Sequence, residues 1–138
     1  MKKYNKKIEI MSIDHLVMTT GDINRTISFY CDLLGMKLDT FNPENGGENR
    51  KALRFGIQKI NLHKKTNPYK PHAKNPFVGS MDICFLSLTP LEIWEDRFRQ
   101  NKVKIESGPI IKTGAIGPIM SIYVRDPDLN LVEISNQI

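Results

Sequence analysis

Two cysteines, one tryptophan and no uninterrupted apolar run of membrane length mark this chain by what it leaves out. Cys31 and Cys84 fall inside predicted elements with neither redox nor metal-site spacing. They read as small reduced hydrophobes rather than as a disulfide. Crossing a bilayer takes roughly 18–20 consecutive apolar residues, and no run here approaches that. The basic start Met1–Lys7 is followed by Ile8-Glu9-Ile10, where a signal peptide needs a long apolar stretch. Residues 1–11 are therefore expected to be a solvated tail, and the protein cytoplasmic with no membrane partner. Acidic residues are also the minority, 15 against 20 Lys and Arg, for a net charge of +5. The lysine clusters, however, lie in the tail and in one linker. Without aromatic–basic interleaving or a helix-turn-helix pattern, nucleic acid is set aside as a partner. The charge remains compatible with a pocket for a small anion. What is present is ordinary for a soluble domain: 40% hydrophobic and 25% charged residues over 138 positions, enough for one domain or two small units sharing a core.

The chain repeats itself. Ser12–Thr20 and Gly79–Ser87, 67 residues apart, both read as short strands rich in apolar, β-branched and aromatic residues. A helix follows each. The first opens at Asp22, an N-cap type, carries Ile23, Ile27, Tyr30 and Leu34 on one face, and ends at Gly35. The second opens on Thr89-Pro90-Leu91-Glu92, a capping box with proline in the first turn, and carries Leu91, Trp94 and Phe98. Under the same shift Met36–Leu38 matches Val103–Ile105, which predicts a strand after each helix. A shift of 70 then matches Leu53–Gly56 and Ile60–His63 to Tyr123–Asp126 and Asn130–Glu133. Unequal loops, one of them Asn42–Asn49, account for the changed offset. The pattern predicts an α+β fold: two βαβββ modules, about 12–63 and 79–136, joined by a Lys-, Asn- and Pro-rich linker at 64–78. Residues 12–138 are thus expected to form one domain.

Four polar residues fall at corresponding places on otherwise apolar strands. His15 interrupts the first strand and Asp82 its counterpart; His63 ends the last strand of the first copy and Glu133 takes the matching place in the second. Alternation puts His15, Val17 and Thr19 on one face. Two sheets curving toward each other would bring two imidazoles and two carboxylates to one point. That set suits one divalent first-row ion: Ni, Zn, Mn, Fe or Co. Four ligands on a six-coordinate ion leave two positions for a substrate with oxygens on adjacent atoms, which the ion would polarise as a Lewis acid. Each residue also has a plain explanation: a satisfied core histidine, a solvated strand end, a capping aspartate, an edge glutamate. Their correspondence argues for a site. His72 has no related partner and reads as a loop residue at the pocket mouth. Lys112 and Thr113, between Gly108 and Gly117, could serve an anionic substrate, although a solvated glycine-rich loop explains them as well. Arg54 and Arg125 read as surface charges.

Ile13–Val17, Asp22-Ile23, Phe29-Tyr30 and Leu34-Gly35-Met36 resemble the opening of the vicinal oxygen chelate superfamily, and Tyr123–Glu133 resembles its closing signature. The superfamily includes glyoxalase I, fosfomycin-resistance transferases, extradiol dioxygenases and bleomycin-binding proteins. Within it, Arg50–Gly56, Lys59–His63 and Gly108–Ala115 resemble the branch of glyoxalase domain-containing protein 5 and of bacterial virulence-associated, lactoylglutathione-lyase-like members. The resemblance implies a curved mixed sheet cupping a metal site, with helices on its outer face. His15, His63, Asp82 and Glu133 would be the metal ligands. It also implies a homodimer and a small-molecule substrate. Glu133 would act as base, Tyr123 would touch the substrate as related transferases use a tyrosine, and Ser121 shares its face. Bacterial glyoxalase I carries carboxylate where this chain has His63 and histidine where it has Asp82; Leu129 replaces the usual glycine of the closing turn. The implied activity is a metal-dependent lyase or isomerase of glyoxalase type. The alternatives are an Fe(II) extradiol-type dioxygenase and a non-catalytic drug- or metabolite-binding protein of bleomycin-resistance type.

Overall fold

The computed structural model describes residues 7–44 and 46–138. Of the expected tail, residues 1–6 lie outside that range, and 7–14 are exposed and belong to no regular element. The first module comprises β1 (His15–Thr20), α1 (Ile23–Ile27) running on into a π-helical turn at Ser28–Leu33, β2 (Lys37–Phe41), β3 (Arg50–Phe55) and β4 (Gln58–Lys64). The second comprises β5 (Asp82–Leu86), α2 (Leu91–Gln100), β6 (Ser107–Thr113), β7 (Pro118–Arg125) and β8 (Leu131–Gln137). Each module is a four-stranded mixed sheet, in the orders β1-β4-β3-β2 and β5-β8-β7-β6. First and last strands run parallel; the other pairs are antiparallel.

Local chemistry accounts for the element ends. The Asp22 carboxylate accepts from the backbone N–H groups of Asn24 and Arg25, satisfying two otherwise orphaned donors of α1. The capping box expected at Thr89 does not form. Proline occupies the N-cap of α2, and Asn136 on β8 supplies the acceptor instead, its Oδ1 taking the Leu91 N–H at 2.9 Å. A tertiary partner has replaced the local one. The strand expected at Val103–Ile105 is also absent. Lys102 turns with φ 56°, Val103 N–H returns to the Phe98 carbonyl, and Val103 and Ile105 pack on the core, so the chain enters the sheet only at Ser107.

Period-2 alternation divides each sheet into two faces. Leu16, Met18, Ile60 and Leu62 of the first sheet, and Ile122, Val124, Val132 and Ile134 of the second, meet Tyr30, Leu33, Leu91 and Phe98 from the helices in one shared core. Polar ties join the modules around it. The Tyr30 hydroxyl donates to Asp126 Oδ2 at 2.7 Å, Arg97 donates to the carbonyls of Asp32 and Leu33, and Gly21 N–H donates to the Asp128 carboxylate. Leu129 takes φ 68°, the left-handed turn that a glycine would adopt without penalty.

Candidate functional site

The faces turned away from the core carry the polar residues. On the first sheet these are His15, Val17 and Thr19 of β1 with Lys59, Asn61 and His63 of β4. On the second they are Asp82, Cys84 and Leu86 of β5 with Leu131, Glu133 and Ser135 of β8, and Ser121 and Tyr123 of β7. Register then fixes which positions correspond. His15 lies opposite Lys59, and Val17 opposite Asn61. Asp82 lies opposite Leu131, and Cys84 opposite Glu133. His15 and Asp82 are the first residues of β1 and β5, and matching them aligns the two modules. Under that match the equivalent of Glu133 is Asn61, two residues before His63; the equivalent of His63 is Ser135.

The sequence paired His63 with Glu133; the strand register offers Asn61 at that level as well. The β3–β4 connection has two residues and the β7–β8 connection five. The closing strand of the second module accordingly lags by more than a uniform shift of 70 allows. His63 has other company. It is 2% exposed, and its Nε2 faces Arg50 Nη2 across the β3–β4 pair at 2.9 Å. The guanidinium lies 4.2 Å from the Tyr69 ring centroid. Burial first, and then the Arg50 charge, holds the His63 imidazole below its ordinary pKa.

His15 Nδ1 is 2.7 Å from Asp14 Oδ1. That carboxylate fixes the donor on Nδ1 and leaves the Nε2 lone pair for a ligand, the orientation that a metal-bound histidine commonly receives from a neighbouring carboxylate. The His15 hydrogen bond in turn holds Asp14 below the usual carboxylate range. Asn61 Oδ1 is buried without a hydrogen-bond partner, an acceptor left open. Glu133 Oε2 accepts from Ser121 Oγ at 2.6 Å, and Ser135 Oγ stands 2.7 Å from the Ser121 hydroxyl. Burial, reinforced by the Glu133 carboxylate, pushes the Tyr123 phenol up to about 12, so it stays protonated as a donor at neutral pH.

A cavity of about 470 Å³ opens over this second sheet, lined by Cys84, Lys112, Thr113, Tyr123 and Glu133. Lys112 and Thr113 sit on β6 rather than in a flexible loop, and Lys112 Nζ lies 6.0 Å from the Tyr123 ring centroid. Asp82 shares a neighbouring groove with Tyr123, Lys112 and Glu133. Cys84, expected as a buried hydrophobe, is exposed on this face. Arg54 and Arg125 are surface charges paired with Asp39 and Glu106. Asp82 and Glu133 therefore share a groove on the second sheet, and His15 and Asn61 lie on the first. Among the described residues of one chain, no three His, Cys, Asp or Glu side chains come close enough to hold an ion together. Sequence reasoning missed Asp14, Arg50 and Asn61; the only signal for Asn61 was its parity with His63.

Comparison with known proteins supplies the lineage. The family model described as Glyoxalase/Bleomycin resistance protein/Dioxygenase superfamily matches residues 12–134. The chain is 46% identical over 138 residues to Virulence protein STM3117 of Salmonella typhimurium, covering 99% of this chain and 92% of that one. The crystal structure of the same protein superposes with a TM-score of 0.88, covering 95% and 100% of the two chains. Glyoxalase domain-containing protein RDO1 of Mycosarcoma maydis is 42% identical over 135 residues, 98% of this chain and 73% of that one. A lactoylglutathione lyase from Agrobacterium tumefaciens shares the fold at 22% identity and a TM-score of 0.67, covering 91% and 92%.

Proposed function

Since the chain belongs to the glyoxalase/bleomycin resistance/dioxygenase superfamily, we propose that it is a metal-dependent lyase or isomerase of glyoxalase type, acting on a small substrate with oxygens on adjacent atoms. The observation that carries this reading is the register, which sets His15 and Asn61 of the first sheet in correspondence with Asp82 and Glu133 of the second. Their donors fit a divalent ion: one imidazole with a free Nε2, an orphaned amide oxygen and two carboxylates. A set with three oxygen donors suits a hard or borderline ion such as Mn(II), Fe(II) or Zn(II). With one imidazole rather than two at these positions, it favours Lewis-acid chemistry over the two-histidine arrangement of an iron dioxygenase. Such an ion would polarise the substrate's vicinal oxygens and acidify the C–H on the carbon beside the polarised carbonyl.

The remaining roles belong to the chain itself. Glu133 is the base once it shifts off the ion: Ser121 pins its Oε2, and the other oxygen, a ligand beforehand, is then the one to move a proton. Tyr123, protonated at neutral pH, donates to an oxygen of the substrate, and Lys112 and Thr113 line the same cavity. Asp14 holds the His15 ring. Because no three such side chains converge among the described residues of one chain, the reading completes the site between two copies, the first sheet of one meeting the second sheet of the other. Val17, Leu86, Ile110 and Ile111 leave apolar surface exposed along these sheets, as such a pairing requires.

Mixing two inactive variants tests the whole reading. His15→Ala and Glu133→Ala homodimers should each purify without stoichiometric metal. A hybrid of one chain of each has one intact site, and should recover half the metal and half the hemithioacetal-isomerising activity of wild type. Asn61→Ala should weaken metal retention, whereas His63→Ala should keep it. Failure of the hybrid to regain metal would rule out a shared site, and metal retained in both single variants would rule out the ligand set.

A further inference from the structure

Arg50 carries a permanent charge with no carboxylate partner among the described residues; the ion pairs of the first sheet use Arg54 and Lys64 instead. Among the described residues its one polar contact is the His63 ring, and its Nε is buried with no partner there. Because a guanidinium can only donate, His63 Nε2 must accept, and the imidazole proton is forced onto Nδ1. That Nδ1–H is itself buried and unpartnered, on a side chain 2% exposed. Two orphaned donors and an uncompensated cation in one cluster are costly unless an acceptor arrives.

A cavity of about 150 Å³ lies against His63, roofed by the linker between the modules. Thr19, Asn75 and Ser80 add polar groups to its wall, and its lining contains no carboxylate. Two residues along β4, on the same face, stands Asn61.

We infer that this cavity is a subsite for the carboxylate of a small organic acid, which accepts from His63 Nδ1–H and is held by the Arg50 charge behind the ring. The inference rests on the proposed function in one respect: a carboxylate bound here would present the neighbouring oxygens of the same molecule to the His15–Asn61 half-site. It narrows the substrate class to small acids with an oxygenated carbon beside the carboxylate end. One guanidinium charge behind one directed N–H balances a monoanionic carboxylate, whereas a phosphate dianion would keep an unpaired charge in the buried cavity.

The test uses metal-free wild-type protein, so that loss of the metal site cannot imitate loss of this one. Acetate and inorganic phosphate are titrated separately while the His63 imidazole is followed by long-range proton–nitrogen NMR, its signal assigned with His63→Gln. The free protein should show the Nδ1–H tautomer. Acetate should shift that signal saturably and bind about tenfold or more tightly than phosphate. Arg50→Gln should weaken acetate by at least about tenfold, whereas Arg50→Lys, which keeps the charge and a donor for His63 Nε2, should retain most of the affinity, both in proteins that unfold like wild type. An Nε2–H tautomer, no saturable response to acetate, phosphate binding as tightly as acetate, or full acetate affinity in Arg50→Gln would each overturn the inference. Metal binding that fails while acetate still titrates His63 would sink the proposed catalytic site and leave this one standing.

Discussion

Replacing Tyr30 by phenylalanine removes one oxygen atom from the seam between the modules and leaves the ring in place. The hydroxyl is fully buried and donates to Asp126 Oδ2 at 2.7 Å. The same carboxylate is held by Asn130 Nδ2 at 2.8 Å and by the backbone N–H groups of Asp128 and Asn130, both at 2.9 Å. Asp126 is buried, so water cannot take the place of the lost donor. A hydrogen bond to a charged group contributes about 1.5–3 kcal/mol; three surviving donors place Tyr30→Phe near the middle, about 2 kcal/mol. Unfolding entropy near 2.1 cal/mol/K per residue gives roughly 0.3 kcal/mol/K for a chain of this length, so the melting temperature should fall by about 7 °C. The urea m-value should not change, because the surface exposed on unfolding is the same. The phenol remains protonated in the wild type, since burial and then the Asp126 charge raise its pKa; the bond is therefore present at all neutral pH values. Thermal and urea unfolding, run together, measure the loss. A loss below about 0.5 kcal/mol would show that Asp126 is satisfied without Tyr30 and that the apolar core alone joins the modules.

Stability should also fall as pH drops below about 6.5. The folded His63 pKa is depressed, so between its folded and unfolded values the unfolded chain binds more protons and protonation favours unfolding. His63→Gln should flatten that part of the pH–stability curve, and an unchanged curve would contradict the burial of the ring. Tyr123 should titrate spectroscopically with a midpoint about 12 in the folded protein, and Glu133→Gln should bring it down. Ser121→Ala should lower metal affinity about 10–100-fold by releasing Glu133 Oε2, measured by competition with a chelator. Leu129→Gly should raise stability by about 0.5–1 kcal/mol, because the side chain is 67% exposed and its backbone sits at φ 68°; a decrease would mean the leucine packs more than its exposure suggests.

The sequence by itself determined the order of elements, the duplication, and the face on which each polar residue lies. These follow from short-range rules: the Asp22 cap, the glycine after the first helix, and the period-2 alternation that turns His15, Asp82 and Glu133 to one side. The same alternation hid the decisive detail. Asn61 and His63 share a face, so a slip of two residues leaves the pattern of buried and exposed positions unchanged. Only the pairing of β4 with β1 and β3, beside a two-residue turn against a five-residue turn in the second module, brings Asn61 level with Glu133 when His15 and Asp82 are matched. Tertiary structure alone also set Asn136 as the cap of α2 and Arg50 against the His63 ring. These contacts join residues far apart in the chain or across strands, and their partners are fixed by how the strands align, which no local pattern encodes.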